Sequence, residues 1–161
     1  VSSVENARVT SFVAVAPEDA FAVFTDEIDR WWRRSPRYRI GGSGASELCF
    51  ERDGQQRRLV ERFANGRHEL GRVLVWEPGK RLVFEWRGRN FAKDEVTEVE
   101  VRFEPFAEGT RVTLEHRGWQ HIRSDHPARH GQREHEFAGM IGGFWGELLT
   151  AYRLFARDRQ A

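Results

Sequence analysis

The chain has 161 residues, 39% of them apolar and 12% aromatic, which suits one domain around one hydrophobic core. Its 26 Lys and Arg nearly cancel its 25 Asp and Glu, leaving a net charge of +1, whereas a dedicated nucleic-acid domain carries a strong basic excess. A single cysteine, Cys49, rules out an intrachain disulfide and a four-thiolate zinc site, and no apolar run is long enough to span a membrane.

The opening VSSVENARVT has no apolar signal region, so a reducing cytoplasm is the simplest compartment. The chain starts at Val1 rather than at a methionine, which leaves open a preceding targeting segment. Residues 8–15, RVTSFVAV, are rich in β-branched side chains and read as a strand. Pro17 followed by Glu18 and Asp19 is a helix entry, with carboxylates near the positive end of the dipole. Phe21, Phe24 and Ile28 share one face, continued by Trp31 or Trp32, and Thr25-Asp26 offers a second cap. Two short helices with a break are predicted, ended by Ser35-Pro36 because the residue before proline avoids the helical region.

An antiparallel meander follows. Residues 46–52 lead into Asp53-Gly54, and residues 55–64 into Asn65-Gly66, both signals for two-residue type I′ hairpins. Then come GRVLVW, a turn at 77–80, and RLVFEWR. In VTEVEVRFE, Thr97, Val99, Val101 and Phe103 line one face while Glu98, Glu100, Arg102 and Glu104 line the other. After Glu108-Gly109, Val112, Leu114 and His116 alternate with Thr113, Glu115 and Arg117. The sheet is therefore expected to be dry on one face only. Residues 132–159 change period: Phe137, Ile141, Phe144 or Trp145, Leu148, Tyr152 and Phe155 form the stripe of a long amphipathic helix, which needs that dry face.

Several groups bear on chemistry. His116 sits on the dry face and must satisfy both ring nitrogens, through a neighbour, a water or a ligand. Five of the six histidines fall between His116 and His135, with Glu134 and Glu136 close by. His126, His130 and His135 lack an HExxH frame, and Pro127 favours a loop, so no metal is assigned. GGSGAS at 41–46 lacks the GK[ST] ending of a phosphate loop and leads into a strand, so it reads as a connection. Gly139, Gly142, Gly143 and Gly146 suggest a break in the last helix or a close backbone approach that leaves space for a ligand or for rings such as Phe84 and Trp86. Nothing resembles a nucleophile elbow or a Cys-His pair, and most acids alternate outward, so no catalytic residue and no cofactor are assigned.

The order of strand, two short helices, curved meander and long C-terminal helix resembles the helix-grip fold of the SRPBCC superfamily, which includes birch-pollen-allergen-like and START-type lipid-transfer proteins. PEDAFAVFTDEIDRWW, ERFANGRHELGRVLVWEPGKRLVFEW, TEVEVRFEPFAEGTRVTLEHRGW and GGFWGELL resemble its subfamily related to activators of the heat-shock chaperone ATPase. These stretches cover nearly the whole chain in the family's order, and the His- and Arg-rich segment 120–135 departs from it. The resemblance implies a single α+β domain over 1–161, with a curved antiparallel sheet wrapped around the C-terminal helix and a cavity between them.

Such a cavity implies non-covalent binding of a small apolar or lipid-like molecule. Its walls would be Phe24, Trp31, Trp32, Phe84, Trp86, Val101, Phe103, Leu114, Phe144, Trp145 and Leu148, with His116 as the polar contact. In the stretch DRWWRRSPRYR at least one tryptophan would then turn inward, the arginines forming a solvated rim rather than a nucleic-acid clamp. Two alternatives accompany this reading: an interaction module acting on a chaperone ATPase, and a cyclase- or hydrolase-like enzyme using the same pocket. The expected state is a monomer or weak homodimer without membrane insertion.

Overall fold

The computed structural model describes residues 7–42, 44–87, 91–119 and 134–159. Strand β1 spans Ala7–Val13 and is followed by helices α1 (Pro17–Asp26) and α2 (Ile28–Trp31). The meander comprises β2 (Glu47–Asp53), β3 (Gln56–Phe63), β4 (Gly66–Glu77), β5 (Arg81–Trp86), β6 (Thr97–Phe106) and β7 (Gly109–Arg117), and helix α3 (Glu134–Asp158) closes the chain. All neighbouring strands are antiparallel in the order β1-β7-β6-β5-β4-β3-β2, in a sheet that curves without closing. This is the α+β helix-grip fold that the family resemblance implied, with the one-sided sheet and long C-terminal helix that the periodicities called for.

The inner face carries Leu82, Phe84, Val99, Val101, Phe103, Val112 and Leu114, all buried, and α3 lays Ile141, Trp145, Leu148, Leu149, Tyr152 and Ala156 into the same core. Apolar area removed from water stabilises this packing by about 25 cal/mol per Å². The Tyr152 hydroxyl donates to the Ala20 carbonyl at 2.7 Å, tying α3 to α1. Phe155, expected in the stripe, is only partly buried, and Ala156 takes the interior position.

Local details depart from the expectations. The helices separate at Glu27 (φ −114°, ψ 24°), and Thr25 makes no cap: its hydroxyl turns back to the Phe21 carbonyl inside α1. Helix α2 ends at Trp31, before Ser35-Pro36, because Trp32 adopts an extended conformation (φ −71°, ψ 126°). The hairpins are not type I′. The first two-residue loop is Gly54-Gln55, with positive φ on Gly54 alone, and the second is Ala64-Asn65, with positive φ on neither residue. Strand β4 starts at Gly66, five residues before the predicted GRVLVW, and carries an irregularity in its pairing with β5. Nearby, Gly71 lies so close to the Glu85 carbonyl that any Cβ would collide with backbone. Helix α3 runs unbroken through its four glycines, and a Cβ added at any of them meets no described atom within 4 Å. Neither a break nor a close approach to described atoms accounts for them.

Candidate functional site

Strand β7 delivers His116 to the inner face, where it is 2% exposed. The Trp145 indole Nε1 donates to His116 Nδ1 at 2.9 Å. An indole N–H can only donate, so Nδ1 must be the acceptor and Nε2 must carry the proton. Nε2 faces Thr97 Oγ1 at 2.7 Å, and that hydroxyl passes its own proton to the Trp86 carbonyl at 3.1 Å. Every member of this chain is satisfied. Burial holds the imidazole neutral, with its pKa down at about 3. His116 is therefore a bolt between β6, β7 and α3, and a ligand could reach it only by displacing Thr97 or Trp145.

Around it the aromatics meet one another directly. Trp145 lies 5.5 Å from Trp32 and 5.6 Å from Trp86 between ring centroids, while Trp32 and Trp86 stack at 6.0 Å with planes 28° apart. Deeper, Phe24 contacts Trp31, Phe103 and Tyr152 at 5.0, 6.0 and 5.3 Å. Trp31 and Trp32 are both buried, at 3% and 2% exposure, so the stretch DRWWRRSPRYR turns both tryptophans inward. Toward the surface, Phe144 on α3 contacts Trp145 at 5.4 Å and Trp86 at 6.4 Å, and Tyr38 lies on Phe144 at 5.0 Å. Tyr38, Trp86 and Phe144 are only partly buried. They form a partly exposed aromatic cluster over the buried Trp32, Trp145 and His116.

The segment bearing Tyr38 is held by buried charges. Arg39 is not part of a solvated rim: its side chain is fully buried, because its guanidinium serves the main chain. It donates to Asp29 Oδ1 at 2.6 Å and to the carbonyls of Asp29 and Trp32 at 2.9 Å and of Arg33 at 3.2 Å. Burial would raise the Asp29 pKa, but the Leu48 amide, Arg39 and Arg34 together hold it below the usual carboxylate range. On the next turn, the buried Glu61 carboxylate accepts the Ile40 and Gly41 amides at 2.9 and 2.8 Å. The Trp32 indole donates to the Tyr38 carbonyl at 2.9 Å, joining the segment to the buried aromatics.

The outer sheet face is ionic. Glu100, 5% exposed, pairs with Arg81, Arg102 and Arg117 across the middle strands. Burial opposes its ionisation, yet hydrogen bonds from Arg117 and Arg81 bring its pKa to about 2. An open depression of about 600 Å³ lies elsewhere, lined by Arg34, Gly44, Ala45, Ser46, Glu47 and Arg62. Its arginines are already engaged by Asp29, Glu47 and Glu51. It includes none of the expected wall residues.

Of those wall residues, Trp86 and Phe144 reach the surface; Phe24, Trp31, Trp32, Phe84, Val101, Phe103, Leu114, Trp145 and Leu148 are buried, as is His116. Sequence reasoning missed Tyr38 and Trp119. Trp119 sits 4.8 Å from His116 and 5.8 Å from Phe91, just beyond Gly118, whose φ of 95° swings the chain off β7. A strand ending in Gly-Trp was the available signal. Among the described residues no three His, Cys, Asp or Glu side chains converge on a metal position, and no helix is long and apolar enough to cross a membrane. The remaining His-based candidates, His126, His130 and His135 with Glu134 and Glu136, lie outside the described residues and side chains.

A curved sheet gripping a C-terminal helix over buried aromatic rings defines a helix-grip protein. Residues 14–136 match the family described as activator of Hsp90 ATPase homolog 1-like protein, and the chain belongs to that family. No curated protein matches it in sequence. Among solved structures it is similar to TTHA0849 from Thermus thermophilus, with TM-score 0.63 and 16% identity, covering 97% of this chain and 99% of that one. The Aha1 dimer from Colwellia psychrerythraea gives TM-score 0.60 at 18% identity, covering 94% and 96%. NE0264 from Nitrosomonas europaea gives 0.62 at 14%, covering 99% of each chain. Likeness at these identities carries the fold and leaves function to the site.

Proposed function

We propose that the protein binds a small, largely apolar molecule at the mouth between the sheet and α3, against Tyr38, Trp86 and Phe144. The observation that carries this reading is the set of three partly exposed aromatic rings resting on a buried floor of Trp32, Trp145 and His116. Small-molecule sites combine such an apolar surface with a few fixed polar groups. The remaining expected wall residues support the floor from behind. His116 enters by fixing Trp145 and, through Thr97, the Trp86 carbonyl. Native mass spectrometry of freshly purified protein, compared with the denatured sample, tests the reading for a co-purified ligand. A screen of apolar aromatic compounds by melting temperature and tryptophan fluorescence completes the test. A hit should weaken on Phe144→Ala, and a screen in which no compound moves either signal rejects the proposal.

Family membership supports a second reading, modulation of a chaperone ATPase. Adding the protein to a purified chaperone and following ATP hydrolysis separates the two.

A further inference from the structure

The Tyr38 hydroxyl is buried at its oxygen and has no hydrogen-bond partner among the described residues. A polar atom left this way costs about 1–3 kcal/mol, and such exceptions in folded proteins call for a missing partner. Nothing about the segment forces the defect. Arg39, Asp29 and Glu61 hold its backbone through groups other than the phenol, and the Tyr38 carbonyl separately receives the Trp32 indole. The ring meets Phe144 in a tilted contact, with 32° between planes, and the exposed Arg37 guanidinium lies over it at 5.5 Å. A phenylalanine would make both of these ring contacts equally well. The hydroxyl is the one feature of Tyr38 that the described residues do not use.

We infer that Tyr38 is the polar anchor of the mouth, and that the ligand is a planar aromatic molecule bearing a hydrogen-bond acceptor, a carbonyl or carboxylate oxygen, which on entry displaces the atoms covering the phenol oxygen and accepts its hydrogen bond. This rests on the binding reading above and adds the ligand's chemical class to it. Aromatic rings suit the mouth because its partly exposed members, Tyr38, Trp86 and Phe144, are all aromatic and offer ring faces and edges for stacked or edge-to-face contact. The acceptor adds orientation: a hydrocarbon can slide across the rings, while an oxygen held by Tyr38 fixes one edge.

The test uses equilibrium dialysis of the wild-type chain and Tyr38→Phe against 2-acetylnaphthalene and 2-isopropenylnaphthalene, which have the same heavy-atom skeleton and differ in a C=O against a C=CH2. One neutral hydrogen bond predicts that the affinity ratio of the acetyl to the isopropenyl compound falls about two- to tenfold in Tyr38→Phe. A ratio that stays the same in the variant overturns the anchor while leaving the binding site standing. If neither compound binds the wild-type chain, the binding reading fails and the anchor with it. Unliganded Tyr38→Phe should melt at or above the wild-type temperature. A clear drop would mean that the hydroxyl already has a protein partner, and would also overturn the inference.

Discussion

Acid should loosen the bolt at His116. Its imidazole has an unfolded-state pKa near 6.5 and a folded-state value of about 3, lowered by burial. Lowering means that the unfolded chain takes up a proton which the folded chain refuses. The associated stability is therefore complete above pH 6.5 and is lost as pH falls toward 3. At pH 5 the loss is about 2 kcal/mol, from roughly 1.4 kcal/mol for each pH unit below 6.5. Urea unfolding followed by tryptophan fluorescence at pH 7.5 and pH 5 measures it, with His116→Gln as the reference. Glutamine can still accept from the Trp145 indole but does not titrate. The stability difference between wild type and variant should shrink by about 2 kcal/mol between the two pH values. The depressed carboxylates of Asp29, Glu85 and Glu100 are common to both proteins and cancel. A difference independent of pH would mean that the folded protein protonates His116 freely, which contradicts an Nδ1 occupied by the Trp145 proton.

Three further outcomes follow from the geometry. Replacing Arg39 by Leu leaves Asp29 and three carbonyls without their buried donor and should cost about 3–5 kcal/mol in urea unfolding, whereas Arg33→Ala on the exposed side of the same segment should stay within about 0.5. Thr97→Val keeps the shape but strands the His116 Nε2 proton and should cost about 1–3 kcal/mol by the same assay. Gly71→Ala forces a Cβ into the Glu85 carbonyl and should lower stability by about 1–3 kcal/mol or more, with the β4–β5 amides losing hydrogen-exchange protection.

Alternation along β6 and β7 placed Val99, Val101, Phe103, Val112, Leu114 and His116 on the inner face, because a half-buried strand leaves a period of two in its side chains. The α3 stripe was legible for the matching reason at a period near 3.6. What stayed hidden depends on contacts between residues distant in sequence. Arg39 looks like any surface arginine until Asp29 and three carbonyls close around it. Leu59, Val60 and Glu61 are consecutive on one strand, yet all three are buried, at the point where the β3–β4 pairing shifts register. The hairpin turns moved by one residue since cross-strand register, rather than the Asp-Gly and Asn-Gly pairs alone, fixed where each loop falls. The aromatic residues were nameable as walls of an expected cavity, but ring-to-ring filling is a three-dimensional property, and only Trp86 and Phe144 among them remain at the surface.

The most direct test of the binding mouth is to saturate isotope-labelled protein with 2-acetylnaphthalene and collect intermolecular nuclear Overhauser contacts. The account predicts contacts from the naphthalene protons to the rings of Tyr38, Trp86 and Phe144, with little at Phe12 and Phe106, the aromatic pair 53% and 48% exposed elsewhere on the sheet. Contacts confined to Phe12 and Phe106, or none at saturating compound, would contradict it.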